Sequence, residues 1–180
     1  MKKDIRIDRV LEADITADWE SQIHRLLVGA FSVYPKDRIY YKQMPAFRYL
    51  AFDGDEIVGH LAVEHRMIRV GDQREEIFGL SDLCVEPEFQ KHNIASGILE
   101  CLEDLADKRN IPFLVLSAGE VDFYSKKGFI ARENQCRWLF IQDYQTLGVV
   151  TRDIPGGLMV KELTERSWPD GLLDFLGHIF

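Results

Sequence analysis

The feature that most constrains the fold is a change of apolar period just before residue 94. Upstream, residues 47–53, 57–70 and 76–85 form three strand-like runs. They are separated by the turn sequence DGDE and by Gly71-Asp72, and the last run is stopped by Pro87. Alternating apolar residues, clearest in the first half of the middle run, read as an antiparallel meander. From Ile94 the period becomes helical: Ile94, Ile98, Leu102, Leu105 and Ala106 share one face. That helix ends near Asn110, because the residue before Pro112 is driven out of the helical region. FLVLS (113–117) is then continuously apolar, as in a strand buried on both faces. Hairpins followed by a helical crossover predict an α/β (α+β) fold with a mixed, mainly antiparallel central sheet and helices on both faces.

The flanks fit the same plan. Residues 4–10 suit a first strand, and Ile23, Leu26, Leu27, Ala30 and Phe31 predict a helix over 18–31. SVYPKDRIYYKQMP has two prolines and no clean period, and reads as a loop or broken helix over a site. A short helix is expected over 120–127, closed by Gly128 as a left-handed cap, with further strands at 129–142 and 157–163. No repeat interrupts this, and 1–180 is read as a single domain.

Charge and cysteine usage narrow the function classes. The net charge is −8 and no basic stripe appears, which argues against nucleic acid. An acidic surface attracts cationic substrates such as polyamines or amino sugars. No apolar run approaches the ~20 residues of a membrane span, and MKKDIRIDRVLEADIT lacks the apolar core of a signal peptide. Cys84, Cys101 and Cys136 are odd in number and widely spaced, as expected of reduced thiols in a cytoplasmic protein. The five histidines show no metal spacing, so no metal site is expected.

Chemistry concentrates in LCVEPEFQKHNIASGIL (83–99). A strand ends at Val85 and a helix begins near Asn93, so the turn presents unpaired N–H groups and the positive end of the helix dipole. Such a turn suits a phosphate or pyrophosphate. Gln90, Lys91 and His92 could add donors, Asn93 tolerates a positive φ, and Ala95 permits close approach. The bland alternative is a plain strand-to-helix connection with a solvated loop. A rival, a nucleotide-binding α/β enzyme, requires a glycine-rich loop and an acid after the next strand, where Ser117 and Ala118 stand instead.

VEPEFQKHNIA resembles motif A of the GNAT acetyltransferase superfamily, with Gln90, Asn93 and Ala95 at its marked positions and Asn93 in place of the usual glycine. Downstream, VDFYSKKGF (121–129) resembles the family's second signature. The resemblance covers roughly residues 45–130. It implies an N-acetyltransferase that takes acetyl-coenzyme A as co-substrate. Residues 90–95, Gln90, Lys91, His92, Asn93, Ile94 and Ala95, would hold the pyrophosphate through their backbone. Leu83, Cys84 and Val85 would hold the pantetheine arm along a splayed strand. A narrower similarity, in the strands over 47–72 and the ending WPDGLLDFLGHIF, is to the aminoglycoside 2′-N-acetyltransferases and nodulation N-acyltransferases, which act on amino-sugar amines.

Tyr124, within the second signature, is the expected general acid, since a phenol of pKa ~10 keeps its proton at neutral pH. The alternative for it is an aromatic that packs the short helix. Three groups remain open as the base that takes the amine proton: Asp82, a water ordered by Ser81, and the C-terminal carboxylate at Phe180. Tyr34, Tyr40 and Tyr41 lie in the loop expected to cover the acceptor, with Tyr34 and Phe180 as candidate substrate contacts. Glu86, Glu88, Lys126 and Lys127 read as solvated. The expected acceptor is a small-molecule primary amine, with an amino sugar among the candidates. An N-acyltransferase with a longer donor, a non-catalytic acyl-coenzyme A sensor and a homodimer stay open. The tail is too apolar to fray and is expected to dock on the body.

Overall fold

Apolar alternation becomes strand where the sequence places it, and the left-handed turn residues fall between the strands. The computed structural model describes residues 5–155 and 157–180. It divides into two compact units, Met1–Glu64 with Ser81–Asp104, and His65–Leu80 with Leu105–Phe180.

In the first unit, β1 (Ile5–Leu11) pairs antiparallel with β2 (Phe47–Asp53), and β2 pairs antiparallel with β3 (Glu56–Val70) through Val63. Residue 4, the expected start of the first strand, lies outside the described residues. The β2–β3 turn uses Gly54 at φ 63°. Helix α1 (Ala17–Ala30) starts at Thr16, whose Oγ1 accepts from the Trp19 N–H at 3.3 Å. It buries Ile23, Leu26 and Leu27 in a core shared with Leu50, Phe52 and Ile57. Residues 32–46 form no helix or strand, yet Tyr34 and Ile39 from this loop join the same core. The long strand β4 (Gln73–Val85) ends before a short turn at Pro87–Phe89, and helix α2 (Ile94–Arg109) follows.

Gly59 explains how closely α2 can lie on this sheet. A Cβ there would stand 2.9 Å from Ile94 Cγ2, 3.1 Å from Ala51 Cβ and 3.3 Å from Ile98 Cδ1. The missing side chain therefore makes room for the first turn of the helix.

In the second unit the sheet path runs β6-β9-β5-β4-β3-β10-β7-β8. Its members are β5 (Phe113–Ser117), β6 (Ile130–Ala131), β7 (Cys136–Gln142), β8 (Gln145–Arg152), β9 (Leu158–Glu162) and β10 (Leu173–Asp174). The sheet is mixed: β4–β5 and β10–β7 are parallel, and β5–β9, β6–β9, β7–β8 and β10–β3 are antiparallel. The core is Ile68, Val70, Ile77, Phe113, Val115, Trp138, Val160, Trp168, Leu173 and Phe175 with their neighbours.

Two expectations are corrected here, and one strand is added. The strand expected over 129–142 is two strands: Arg132 N–H to Leu158 O extends the pairing of β6 with β9, and the chain then breaks at Asn134, whose Nδ2 donates to the carbonyls of Pro169 and Gly171. The sequence reading has no counterpart of β8, which is largely exposed and returns from β7 through Asp143 and Tyr144 at φ 46° and 62°. Two consecutive left-handed residues form the primed turn that matches strand twist. The helix expected over 120–127 is α3 (Val121–Ser125), closed by Gly128 at φ 85° with Phe129 N–H bonded to Tyr124 O.

The tail docks, as its apolar composition demands. Leu173 and Asp174 form a strand between β3 and β7, and Leu173, Phe175 and Trp168 are buried. No helix among the described residues is long and apolar enough to cross a membrane.

Candidate active site

A buried polar chain crosses the first unit. Glu12 accepts two bonds from Arg48, from Nε at 2.6 Å and from one terminal nitrogen at 2.9 Å. The other terminal nitrogen of Arg48 donates to His60 Nε2 at 2.8 Å. Arginine has no acceptor, so Nε2 must be the bare nitrogen and the imidazole proton sits on Nδ1. That proton is donated to the backbone carbonyl of Asp82 at 2.8 Å. The Asp82 carboxylate accepts from the Tyr34 hydroxyl at 2.7 Å. Arg48 and His60 are fully buried.

Asp82 is left-handed, at φ 56°, inside β4. A left-handed residue in a strand breaks the side-chain alternation and locally bends the chain. Just beyond, the Glu86 N–H bonds Val58 O at 2.9 Å. The parallel ladder of β4 with β5 spans Ile77–Leu80, and β4 continues through Ser81, Leu83, Cys84 and Val85.

Electrostatics match the burial. Desolvation raises Asp82 above the ordinary carboxylate range, against the bond from Tyr34 and the positive charges of Arg48 and Lys42. Tyr34 is raised, first by burial and then by Asp82, so it stays a proton donor. His60 is lowered to about 3 by burial and by the Arg48 charge, in agreement with its neutral tautomer. Burial also raises the Cys84 thiol, which argues against a thiolate there.

The turn into α2 has the backbone that the sequence predicts. Asn93 is left-handed at φ 62°, in the region that favours glycine, and Lys91 is left-handed at φ 64°. The first bond into the helix is from Gly97 N–H to Asn93 O at 2.8 Å, so Ile94 and Ala95 offer first-turn N–H groups. Two side chains expected as donors fold back instead. Gln90 Nε2 donates to Val85 O at 3.2 Å, and His92 Nδ1 lies 2.8 Å from Gln90 O and 3.2 Å from Phe89 O. They brace the loop rather than extend from it.

Tyr124 and Phe180 belong to the second unit. Tyr124 is half-buried on α3, edge-on to Phe123 and Phe129 at 5.1 and 5.5 Å. The Phe180 ring meets Phe175 edge-on at 5.3 Å, under the Arg66 guanidinium at 5.5 Å. It occupies the space a Cβ on Gly79 would need. Tyr34 is buried, so its ring serves the core and its hydroxyl serves Asp82. Tyr41 is exposed, and Tyr34 and Tyr41 meet edge-on at 5.9 Å.

Sequence reasoning missed Arg48 and His60. The signal available was two basic residues within strand-like, largely apolar runs, Arg48 in FRYLAFD and His60 in IVGHLAV. Among the described residues, no cluster of three or more His, Cys, Asp or Glu could hold a metal ion.

Residues 13–131 match the family model of the acetyltransferase (GNAT) domain, well over half of the chain. The chain belongs to the GNAT acetyltransferase family. GNAT proteins are acetyl-coenzyme A-dependent acyltransferases, and this chain is one. Solved GNAT structures share the fold at low identity. A GNAT N-acetyltransferase (YhbS) from Escherichia coli, crystallised with CoA, superposes with TM-score 0.59 at 15% identity, over 95% of this chain and 88% of that one. Escherichia coli ElaA gives 0.59 at 14% identity, over 88% and 99%. A GCN5-related N-acetyltransferase from Kribbella flavida gives 0.57 at 15% identity over 76% of this chain, which spans only 34% of that larger protein. No curated protein matches the chain in sequence.

Proposed function

We propose that the chain transfers an acetyl group from acetyl-coenzyme A to a primary amine of a small molecule, with Asp82 as general base and Tyr124 as general acid. The observation that carries this reading is the half-buried carboxylate of Asp82, held by Tyr34 at a left-handed residue just before Leu83–Val85. A carboxylate raised by burial is a better base near neutral pH than an ordinary one.

Acetyl-coenzyme A fits the residues present. The turn at 90–95 combines two left-handed residues, first-turn amides and the small Ala95, a set of donors suited to a pyrophosphate. Leu83 and Val85 supply backbone groups for the pantetheine arm. The structural neighbour crystallised with CoA supports the same class of donor.

In the reaction, the amine lone pair attacks the thioester carbonyl carbon and the carbon–sulfur bond breaks. The amine proton passes to Asp82. The departing thiolate takes the phenolic proton of Tyr124, which solvent then restores. The products are the acetamide and free coenzyme A. A net charge of −8 favours a cationic acceptor, and amino sugars are the first candidates. Another neighbour, from Escherichia coli, is described as the ribosomal-protein-S18-alanine N-acetyltransferase, so a peptide with N-terminal alanine belongs in the acceptor panel.

The test is the pair Asp82→Asn and Tyr124→Phe. Each is expected to lower kcat by roughly 10²–10⁴-fold, the scale of one acid–base group, with acetyl-coenzyme A affinity unchanged by calorimetry. Below its pKa Asp82 is protonated and cannot accept, so parent kcat/KM rises with pH through a value above the ordinary carboxylate ~4. Asp82→Asn removes that limb. Parent-like kcat in either variant removes that residue from the chemistry.

A further inference from the structure

We infer that His60, fixed by Arg48, is a positioning residue that holds Asp82 in its left-handed conformation and so aims the carboxylate for catalysis. This rests on the reading of Asp82 as the base. An aspartate at φ 56° inside a strand is unfavourable by itself and persists only where its surroundings over-determine it. Here two bonds do so from opposite ends of the residue. His60 Nδ1–H takes the Asp82 carbonyl at 2.8 Å, and Tyr34 donates to the carboxylate at 2.7 Å.

His60 can donate in that direction only while its proton is on Nδ1. Arg48 enforces this by donating to Nε2 at 2.8 Å, and Arg48 is itself clamped by both oxygens of Glu12. Four residues from β2, β3, β4 and the turn after β1 thus form one chain, in which Arg48 donates to Glu12 on one side and to His60 on the other, and His60 donates to the carbonyl of Asp82. A fully buried arginine–histidine contact stabilises little by packing alone, because burying these polar groups costs free energy unless every bond is made. Its structural result is the fixed peptide at residue 82.

Two isosteres split the imidazole. His60→Asn keeps an N–H donor at the δ position, and His60→Gln keeps an acceptor at the ε position but loses the donor. Steady-state kinetics should show His60→Gln lowering kcat by about 10- to 100-fold, the cost of a small misplacement of a reacting group. KM for acetyl-coenzyme A should not change, and His60→Asn should recover most of the loss. In an Asp82→Asn background, His60→Gln should add nothing, since the group it positions is gone. Arg48→Lys, which keeps the charge beside Glu12 but lacks the planar fork that reaches Glu12 and His60 at once, should give a partial kcat loss, so the claim stays testable if His60→Gln does not fold. Parent kcat in His60→Gln or Arg48→Lys, equal damage in the Asn and Gln variants, or a full further loss in the double variant overturns the inference. If Asp82→Asn alone keeps parent kcat, the base assignment fails separately. The positional claim is then decided by whether a crystal structure of His60→Gln loses the left-handed residue 82 and the Tyr34–Asp82 bond.

Discussion

His60 is where a single residue's protonation bears on the whole unit. Its folded-state value of about 3 lies below the ordinary ~6.5, so between these values the unfolded chain binds more protons. The stability it contributes is complete above about pH 6.5 and is lost as pH falls toward 3, with the slope of one proton. Denaturant melts of the parent and of His60→Asn, run from pH 7 to pH 4, should diverge in this sense, the parent losing more. Identical pH slopes would show that His60 is not held neutral. Asn93 gives the opposite lesson about what one residue can reveal. Its φ of 62° was readable in the sequence, because asparagine is a residue that tolerates that region where a glycine is expected. Lys91, equally left-handed, gave no such signal, since lysine has no preference for the region.

At the scale of elements, α2 and the strands beneath it decide whether the cofactor turn is in place. Gly59→Val would put methyl groups where Ile94 Cγ2 already stands 2.9 Å from an ideal Cβ. The helix start must shift, at a cost of about 1–3 kcal/mol for overpacking. The melting temperature should fall, and acetyl-coenzyme A should bind more weakly in calorimetry, because the 90–95 amides move with Ile94. Unchanged affinity would mean that the turn at 90–95 is not the pyrophosphate site. The elements themselves were largely legible. Helix α2 ends at Arg109 because Pro112 follows, and Ile94, Ile98, Leu102 and Ala106 form its buried face as their spacing predicts. Strand β8 was not legible, because Gln145–Arg152 is almost wholly exposed and packs little beyond the half-buried Val150 against the core. The break inside 129–142 was hidden too, because it depends on the long-range bonds of Asn134 to Pro169 and Gly171. The Tyr34–Asp82 bond joins residues 48 apart, a partnership that no local period encodes.

For the whole molecule, the tail is part of the second unit's core. Removing residues 168–180 strips Trp168, Leu173 and Phe175, buried side chains worth ~1.5–3 kcal/mol each. That is a large share of the ~5–15 kcal/mol that holds a domain together, so the shortened chain should lose its cooperative thermal transition. A parent-like melt would show that the tail is dispensable. The central claim concerns chemistry rather than stability, and it is tested most directly by release of free coenzyme A thiol from acetyl-coenzyme A. The assay would follow the intact protein with a panel of amino sugars, polyamines and an N-terminal-alanine peptide. Thiol release is expected to depend on an amine and to be matched mole for mole by N-acetylated product. Tight binding of acetyl-coenzyme A with no acetylated amine from any member of the panel would contradict it.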